Sequence, residues 1–178
     1  MNVFISGGCK NGKSYYAQRD AKRQAGAAGR PLYYIATMIP HDEEDHARIS
    51  RHISEREGWG FETVECGRCI TDILKDDCID NEGVFLLDSV TALLGNEMFD
   101  DEGRYDESAA ERVKADLLEF AAATGNTVFV SDYIYSDAGR FSETVEAYRR
   151  GLAGADRALA AVCDRVVEIS AGMEEIWK

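Results

Sequence analysis

The sequence predicts a three-layer α/β domain built on a mostly parallel sheet. Three observations carry that expectation. Short β-branched or aliphatic runs alternate along the chain with helical stretches. Runs such as Val84-Phe85-Leu86-Leu87 are apolar throughout, as strands covered on both faces are. Strand, helix and strand in repetition give βαβ units, whose crossovers place helices on the sheet faces.

The elements follow in order. Strands are expected at 3–6, 32–36, 61–65, 84–88, 127–131 and 166–170, and helices at about 13–25, 42–57, 70–74, 89–98, 107–123 and 139–162. The 42–57 helix opens on Asp42, Glu43, Glu44 and Asp45, with basic residues after them, in the order the helix dipole favours. Asp88-Ser89 closes one strand and supplies capping residues to the next helix. The acidic stretch 99–107 reads as a solvated surface loop. There is no internal repeat, long linker or break in composition, so all 178 residues are expected to form one domain.

Charge narrows the function. With 20 Lys+Arg against 33 Asp+Glu the net charge is −13, which argues against a broad nucleic-acid or anionic-membrane surface. An anionic ligand must be held by a local device. No apolar run approaches the roughly 18 residues of a membrane span. Without a basic start or a signal-peptide cleavage pattern, the chain is expected to be soluble and cytoplasmic. The five cysteines are odd in number and scattered, which suggests reduced thiols; Cys66-Gly67-Arg68-Cys69 lacks the second ligand pair a structural zinc needs.

The local device is Gly7-Gly8-Cys9-Lys10-Asn11-Gly12-Lys13-Ser14, a full match to G-x-x-x-x-G-K-[ST] that follows an apolar strand and opens a helix. Glycines let successive backbone N–H groups turn inward around phosphate, and the helix adds its positive end. Lys13 has the reach for the β- and γ-phosphates, and the Ser14 hydroxyl suits Mg²⁺. The strand ending in Asp88 supplies a carboxylate for the same magnesium shell. These features fit a kinase, an ATPase or a GTPase equally, although no Asn-Lys-x-Asp guanine-reading motif occurs.

A second constellation lies on the 42–57 helix, where Asp45, Arg48, His52 and Arg56 fall on one stripe at helical spacing. Arginines one turn away on either side of His52 disfavour a further positive charge there, and an uncharged imidazole is what a nucleophile needs. The same arginines suit the phosphate under attack. An exposed histidine among surface ion pairs explains the pattern as well. His41 and His46 have no such setting and read as surface residues.

The phosphate loop, the strand end Tyr34-Ile35-Ala36-Thr37 and the series Arg48-Ile49-x-x-His52-x-x-x-Arg56-x-x-Trp59-x-x-x-Thr63-x-Glu65 together resemble the bifunctional adenosylcobinamide kinase/adenosylcobinamide-phosphate guanylyltransferase family of cobalamin assembly. The resemblance runs from residue 1 to about 100 and more loosely to the C-terminus. It implies a RecA-like P-loop fold, a homotrimer, and ATP, GTP and Mg²⁺ at the site. It also implies two reactions: phosphorylation of the adenosylcobinamide hydroxyl, then transfer of GMP from GTP through a guanylylated histidine to adenosylcobinamide phosphate. The matching nucleophile position is His52. Implied nucleotide contacts are Gly7 to Ser14, Ala36, Thr37, Met38, Ile53, Ser54, Glu55, Arg56, Glu65 and Asp88. The chain departs from the family pattern at Glu57, where Pro is usual, and at two longer segments. Ser131-Asp132-Tyr133-Ile134-Tyr135 stands where Thr-Asn-Glu-Val-Gly is usual, and the segment Arg149 to Arg157 stands for Arg-Asp-x-x-Gly-x-x-Asn-Gln. A kinase of another small hydroxylated substrate and a non-catalytic nucleotide-binding relative are the other readings of the same residues.

Overall fold

The computed structural model describes residues 1–178 apart from Asp101, Gly103, Ser136 and Asp137 and the side chains of Arg48 and Glu55. The expected nucleotide contact Glu55 and the stripe member Arg48 thus lie outside the described side chains.

The chain runs β1 (Val3–Gly7), α1 (Lys13–Ala28), β2 (Leu32–Ala36), α2 (Glu43–Glu55), β3 (Glu62–Glu65), a 3₁₀ helix (Ile70–Lys75), β4 (Val84–Asp88), α3 (Val90–Met98), α4 (Ala109–Thr124), β5 (Thr127–Asp132), α5 (Glu143–Val162), β6 (Arg165–Ser170) and β7 (Met173–Ile176). One sheet has the order β3-β2-β4-β5-β1-β6-β7. All pairings are parallel except that of β6 with β7. The phosphate-loop strand β1 is therefore central, and β5 separates it from the Asp88 strand β4.

Two apolar layers explain why the strands lack alternation. On one face Ala17, Ala21 and Ala25, spaced at i, i+4 and i+8 along α1, pack against Val3, Ile5, Leu86, Val128 and Val130. On the other face α3, α4 and α5 cover Phe4, Phe85, Leu87 and Phe129. Phe85 anchors that second layer, stacked on Tyr33 at 5.0 Å and edge-on to Phe120 at 5.3 Å between ring centroids. Burying each such ring contributes about 1.5–3 kcal/mol.

The structure departs from the expected elements in four places. The stretch 70–74 forms a 3₁₀ helix. Helix α5 starts at Glu143 rather than 139, because the Ser142 hydroxyl accepts the Val145 N–H and caps it there. Strand β7 had not been expected. It turns back through Ala171 and Gly172, whose φ values of 50° and 78° suit a two-residue hairpin loop. In the 99–107 stretch, Phe99 and Tyr105 form an antiparallel bridge and pack partly buried on the core, so the segment is only partly solvated.

Candidate nucleotide-binding site

The carboxyl ends of the parallel strands meet along one edge of the sheet, where open α/β sheets place their ligands. Cα register aligns Glu65 of β3 and Asp88 of β4 on either side of Ala36 of β2. Further along, Asp132 of β5 stands beside Gly7 of β1.

The loop between β1 and α1 is shaped by backbone constraints. Gly12, the residue before α1, has φ 93° and ψ 6°, and Lys10 has φ 54°, both left-handed. No side chain caps α1, so its first N–H groups stay available to an anion. A Cβ at Gly7 would run into the Ile169 carbonyl oxygen and Asn11 Nδ2. Asn11 in turn donates from Nδ2 to the Ile169 carbonyl, tying the loop to β6. Gly8 and Ser14 are half-buried, and Cys9, Lys10 and Gly12 are exposed.

Lys13 is buried and lies across the mouth of this loop, its Nζ donating to the Gly8 carbonyl at 2.7 Å and to Asp132 Oδ1 at 2.6 Å. Asp132 is itself 30 % exposed. Sequence reasoning did not single it out: Lys13 and Asp132 are 119 positions apart, and only the parallel pairing of β1 with β5 joins them.

A second group forms around β2 and β4. Asp88 Oδ2 accepts the Tyr34 hydroxyl at 3.0 Å. The buried Arg56 guanidinium lies 3.5 Å from the Tyr34 ring centroid, a cation–π contact. Burial, with the Asp88 charge adding to it, pushes the Tyr34 hydroxyl well above its ordinary range despite the opposing Arg56 charge. Arg56 ends the helix as its C-cap residue, is buried, and packs its guanidinium on Tyr34 of β2. The buried Thr37 binds Ser89 through its hydroxyl in both directions, accepting from the N–H at 2.7 Å and donating to the carbonyl at 2.9 Å. That clasp fixes the ends of β2 and β4 together.

Helix α2 begins at Asp42, whose side chain accepts the Asp45 N–H at 2.8 Å. Most of the helix is exposed, including Ile53 and Ser54, while His52 is half-buried one turn before Arg56. Its far end is held by the segment that follows, where Trp59 meets Tyr15 of α1 at 5.7 Å and Lys22 at 5.2 Å. Met38 is half-buried and Glu65 exposed. The structure therefore joins Lys13 with Asp132, and Asp88 with Tyr34 and Arg56. His52 stands near the second group through its helix.

Ser14 and Asp88 offer only hard oxygen donors, which suit Mg²⁺ held mainly by nucleotide phosphates. Among the described residues no group of three or more His, Cys, Asp or Glu side chains could hold a metal by itself. The donor set fits a metal that arrives with its nucleotide.

The CobU family, cobinamide kinase / cobinamide phosphate guanyltransferase, matches residues 3–175. The chain belongs to this family. Among curated proteins none matches significantly. Of the solved structures, the ATPase domain of G40P is 11 % identical with a TM-score of 0.51, over 94 % of this chain and 68 % of that one. The flagellar accessory protein FlaH of Methanocaldococcus jannaschii is 12 % identical with a TM-score of 0.49, over 99 % and 77 %. The KaiC-like protein PH0186 of Pyrococcus horikoshii OT3 is 15 % identical with a TM-score of 0.48, over 94 % and 69 %. Such similarities speak to fold alone, and the fold is that of P-loop NTPases.

Within the CobU frame, the two departing segments touch each other. Ser131 Oγ and the Tyr135 hydroxyl each donate to Asp156 Oδ2 at 3.0 Å. Burial pushes the Asp156 carboxyl up to about 6, against these two hydrogen bonds, and the nearby Asp132 charge adds to the rise. Its Oδ1 is buried with no hydrogen-bond partner among the described residues. No helix among the described residues is long and apolar enough to cross a membrane.

Proposed function

We propose that this chain carries both reactions of its family at the one sheet edge: phosphorylation of the adenosylcobinamide hydroxyl, and GMP transfer from GTP to adenosylcobinamide phosphate through His52. The observation that carries this reading is the family match over residues 3–175 on a chain whose phosphate loop, Asp88 and Arg56 gather at that edge.

Each group has a chemical part. The loop N–H groups from Gly7 to Ser14 and the open end of α1 bind the phosphate chain of GTP or ATP. Lys13 gives up the Gly8 carbonyl for the phosphates and keeps Asp132 as its other charge-assisted partner. Ser14 and Asp88 would hold Mg²⁺, which would supply charge neutralisation at the phosphate oxygens. Ala36, Thr37, Met38, Ile53, Ser54, Arg56 and Glu65 line the nucleoside side. In the transfer, an imidazole nitrogen of His52 attacks the α-phosphorus of GTP. A P–N bond forms, the α–β bridging P–O bond breaks, and pyrophosphate leaves with Lys13 beside it. A phosphate oxygen of the cobinamide phosphate then attacks the same phosphorus, releasing His52 and forming the diphosphate link. A homotrimer in the cytoplasm completes the reading.

The test compares wild type with His52→Ala. Wild type should take up α-labelled GMP and pass it to adenosylcobinamide phosphate, while the variant should do neither and still transfer γ-phosphate. A folded, GTP-binding wild type that takes up no label would overturn the transferase half.

A further inference from the structure

The family pattern has Asn where this chain has Asp132, and nothing above gives that carboxylate a role beyond partnering Lys13. We infer that Asp132 is the base of the γ-phosphoryl step, taking the proton from the hydroxyl that attacks the γ-phosphate; the inference rests on the kinase half of the function proposed above.

Placement is the first argument. Asp132 ends β5, the strand inserted between the phosphate-loop strand and the Asp88 strand, and stands in register with Gly7. Its backbone is fixed on two sides. The Asp132 N–H donates to Thr91 Oγ1 at 2.9 Å, and the next N–H, of Tyr133, donates to the Gly7 carbonyl at 3.3 Å. Thr91 is itself anchored, since its carbonyl accepts the Tyr148 hydroxyl at 2.8 Å. The carboxylate therefore sits on a supported strand end rather than on a mobile side arm.

Distance is the second argument. Asp132 Oδ1 is 2.6 Å from the amine that reaches the terminal phosphates in this motif. An ammonium bridging a carboxylate oxygen and a phosphate oxygen through two charge-assisted contacts keeps those oxygens about 4.5 Å apart, and the phosphorus about 5–6 Å from the carboxylate. A hydroxyl about 3 Å from its base and about 3–3.5 Å from the phosphorus it attacks spans that gap. Asp132 is part-exposed, so an acceptor has access to it, whereas the buried Asp156 already holds two hydroxyl donors.

The chemistry balances without a further reactant. The acceptor O–H bond breaks and its proton passes to the Asp132 carboxylate. The acceptor oxygen forms a bond to the γ-phosphorus while the β–γ bridging P–O bond breaks, and the nucleoside diphosphate departs. Water serves as acceptor in the same geometry, which gives slow hydrolysis.

The competing role is that Asp132 only parks Lys13 until nucleotide binds. Wild type, Asp132→Asn and Asp132→Glu are compared in three measurements: γ-phosphate transfer to adenosylcobinamide, phosphate release without acceptor, and α-label uptake from GTP. A base role predicts that Asp132→Asn loses about 10²–10⁴-fold in kcat for transfer, and falls in hydrolysis as well. The nucleotide KM should stay unchanged or drop, α-label uptake should change less than threefold, and Asp132→Glu should recover part of the rate. Transfer and hydrolysis within threefold of wild type in Asp132→Asn would overturn the role. So would parallel loss of α-labelling, which would make Asp132 a support for the whole site. A wild type without either γ-phosphoryl reaction would overturn it too, and α-labelling in that same preparation would show that the transferase half stands on its own.

Discussion

Asp156→Asn should change how stability depends on pH. The wild-type carboxyl is 2 % exposed, and burial pushes it up to about 6 from an ordinary 3.8. The native state therefore binds more protons than the unfolded chain between those values. Stability contributed by the protonated acid is fully present below about pH 4 and is lost as pH rises through about 6. A shift of about two units at about 1.36 kcal/mol each makes the loss about 3 kcal/mol. In the variant, the amide oxygen still accepts from Ser131 and Tyr135, while the NH₂ takes the position of the unpartnered Oδ1. That unpaired donor costs about 1–3 kcal/mol, but it costs the same at every pH. Urea unfolding followed by Trp59 and Trp177 fluorescence at pH 4.5, 6 and 8 isolates the titrating part. Relative to wild type, the variant should gain about 2 kcal/mol between pH 4.5 and 8, because about 1 kcal/mol of the loss already lies below pH 4.5. A wild-type-to-variant difference constant within about 0.5 kcal/mol across that range would refute the reasoning, because Asp156 would then titrate alike folded and unfolded.

Gly7→Ala should destabilise the fold by about 1–3 kcal/mol and abolish nucleotide binding, since its Cβ meets the Ile169 carbonyl and Asn11 Nδ2; calorimetry with GTP checks both, and normal binding would contradict the close approach. Burial pushes the Cys66 thiol up to about 11, so peptide-resolved alkylation of Cys66 should quicken about tenfold per pH unit from 7 to 10; a rate already level at pH 8 would contradict that burial.

The parts legible in the sequence were those whose meaning is local. The phosphate loop packs its motif into eight residues, and the inner strands β1, β2, β4 and β5 announce themselves because both their faces are buried. Strand β7 was hidden because Met173-Glu174-Glu175-Ile176 carries adjacent charges at a sheet edge and its turn is Ala-Gly rather than Asn-Gly. At the site, Gly7 to Ser14 and Asp88 stand at the expected strand ends, but relations across the sheet were invisible. Helical spacing put Arg56 one turn after His52, but the packing of its guanidinium on Tyr34 of β2 could be seen only in the fold. Ser131, Tyr135 and Asp156 could be read only as separate departures from a family pattern, whereas folding brings them into one hydrogen-bonded cluster.

The most direct test of the proposed chemistry is to incubate the intact protein with α-labelled GTP and Mg²⁺ and map the modified residue by mass spectrometry. The account predicts an acid-labile, base-stable GMP adduct on His52, discharged when adenosylcobinamide phosphate is added. An adduct on any other residue, or one that persists in His52→Ala, would contradict it.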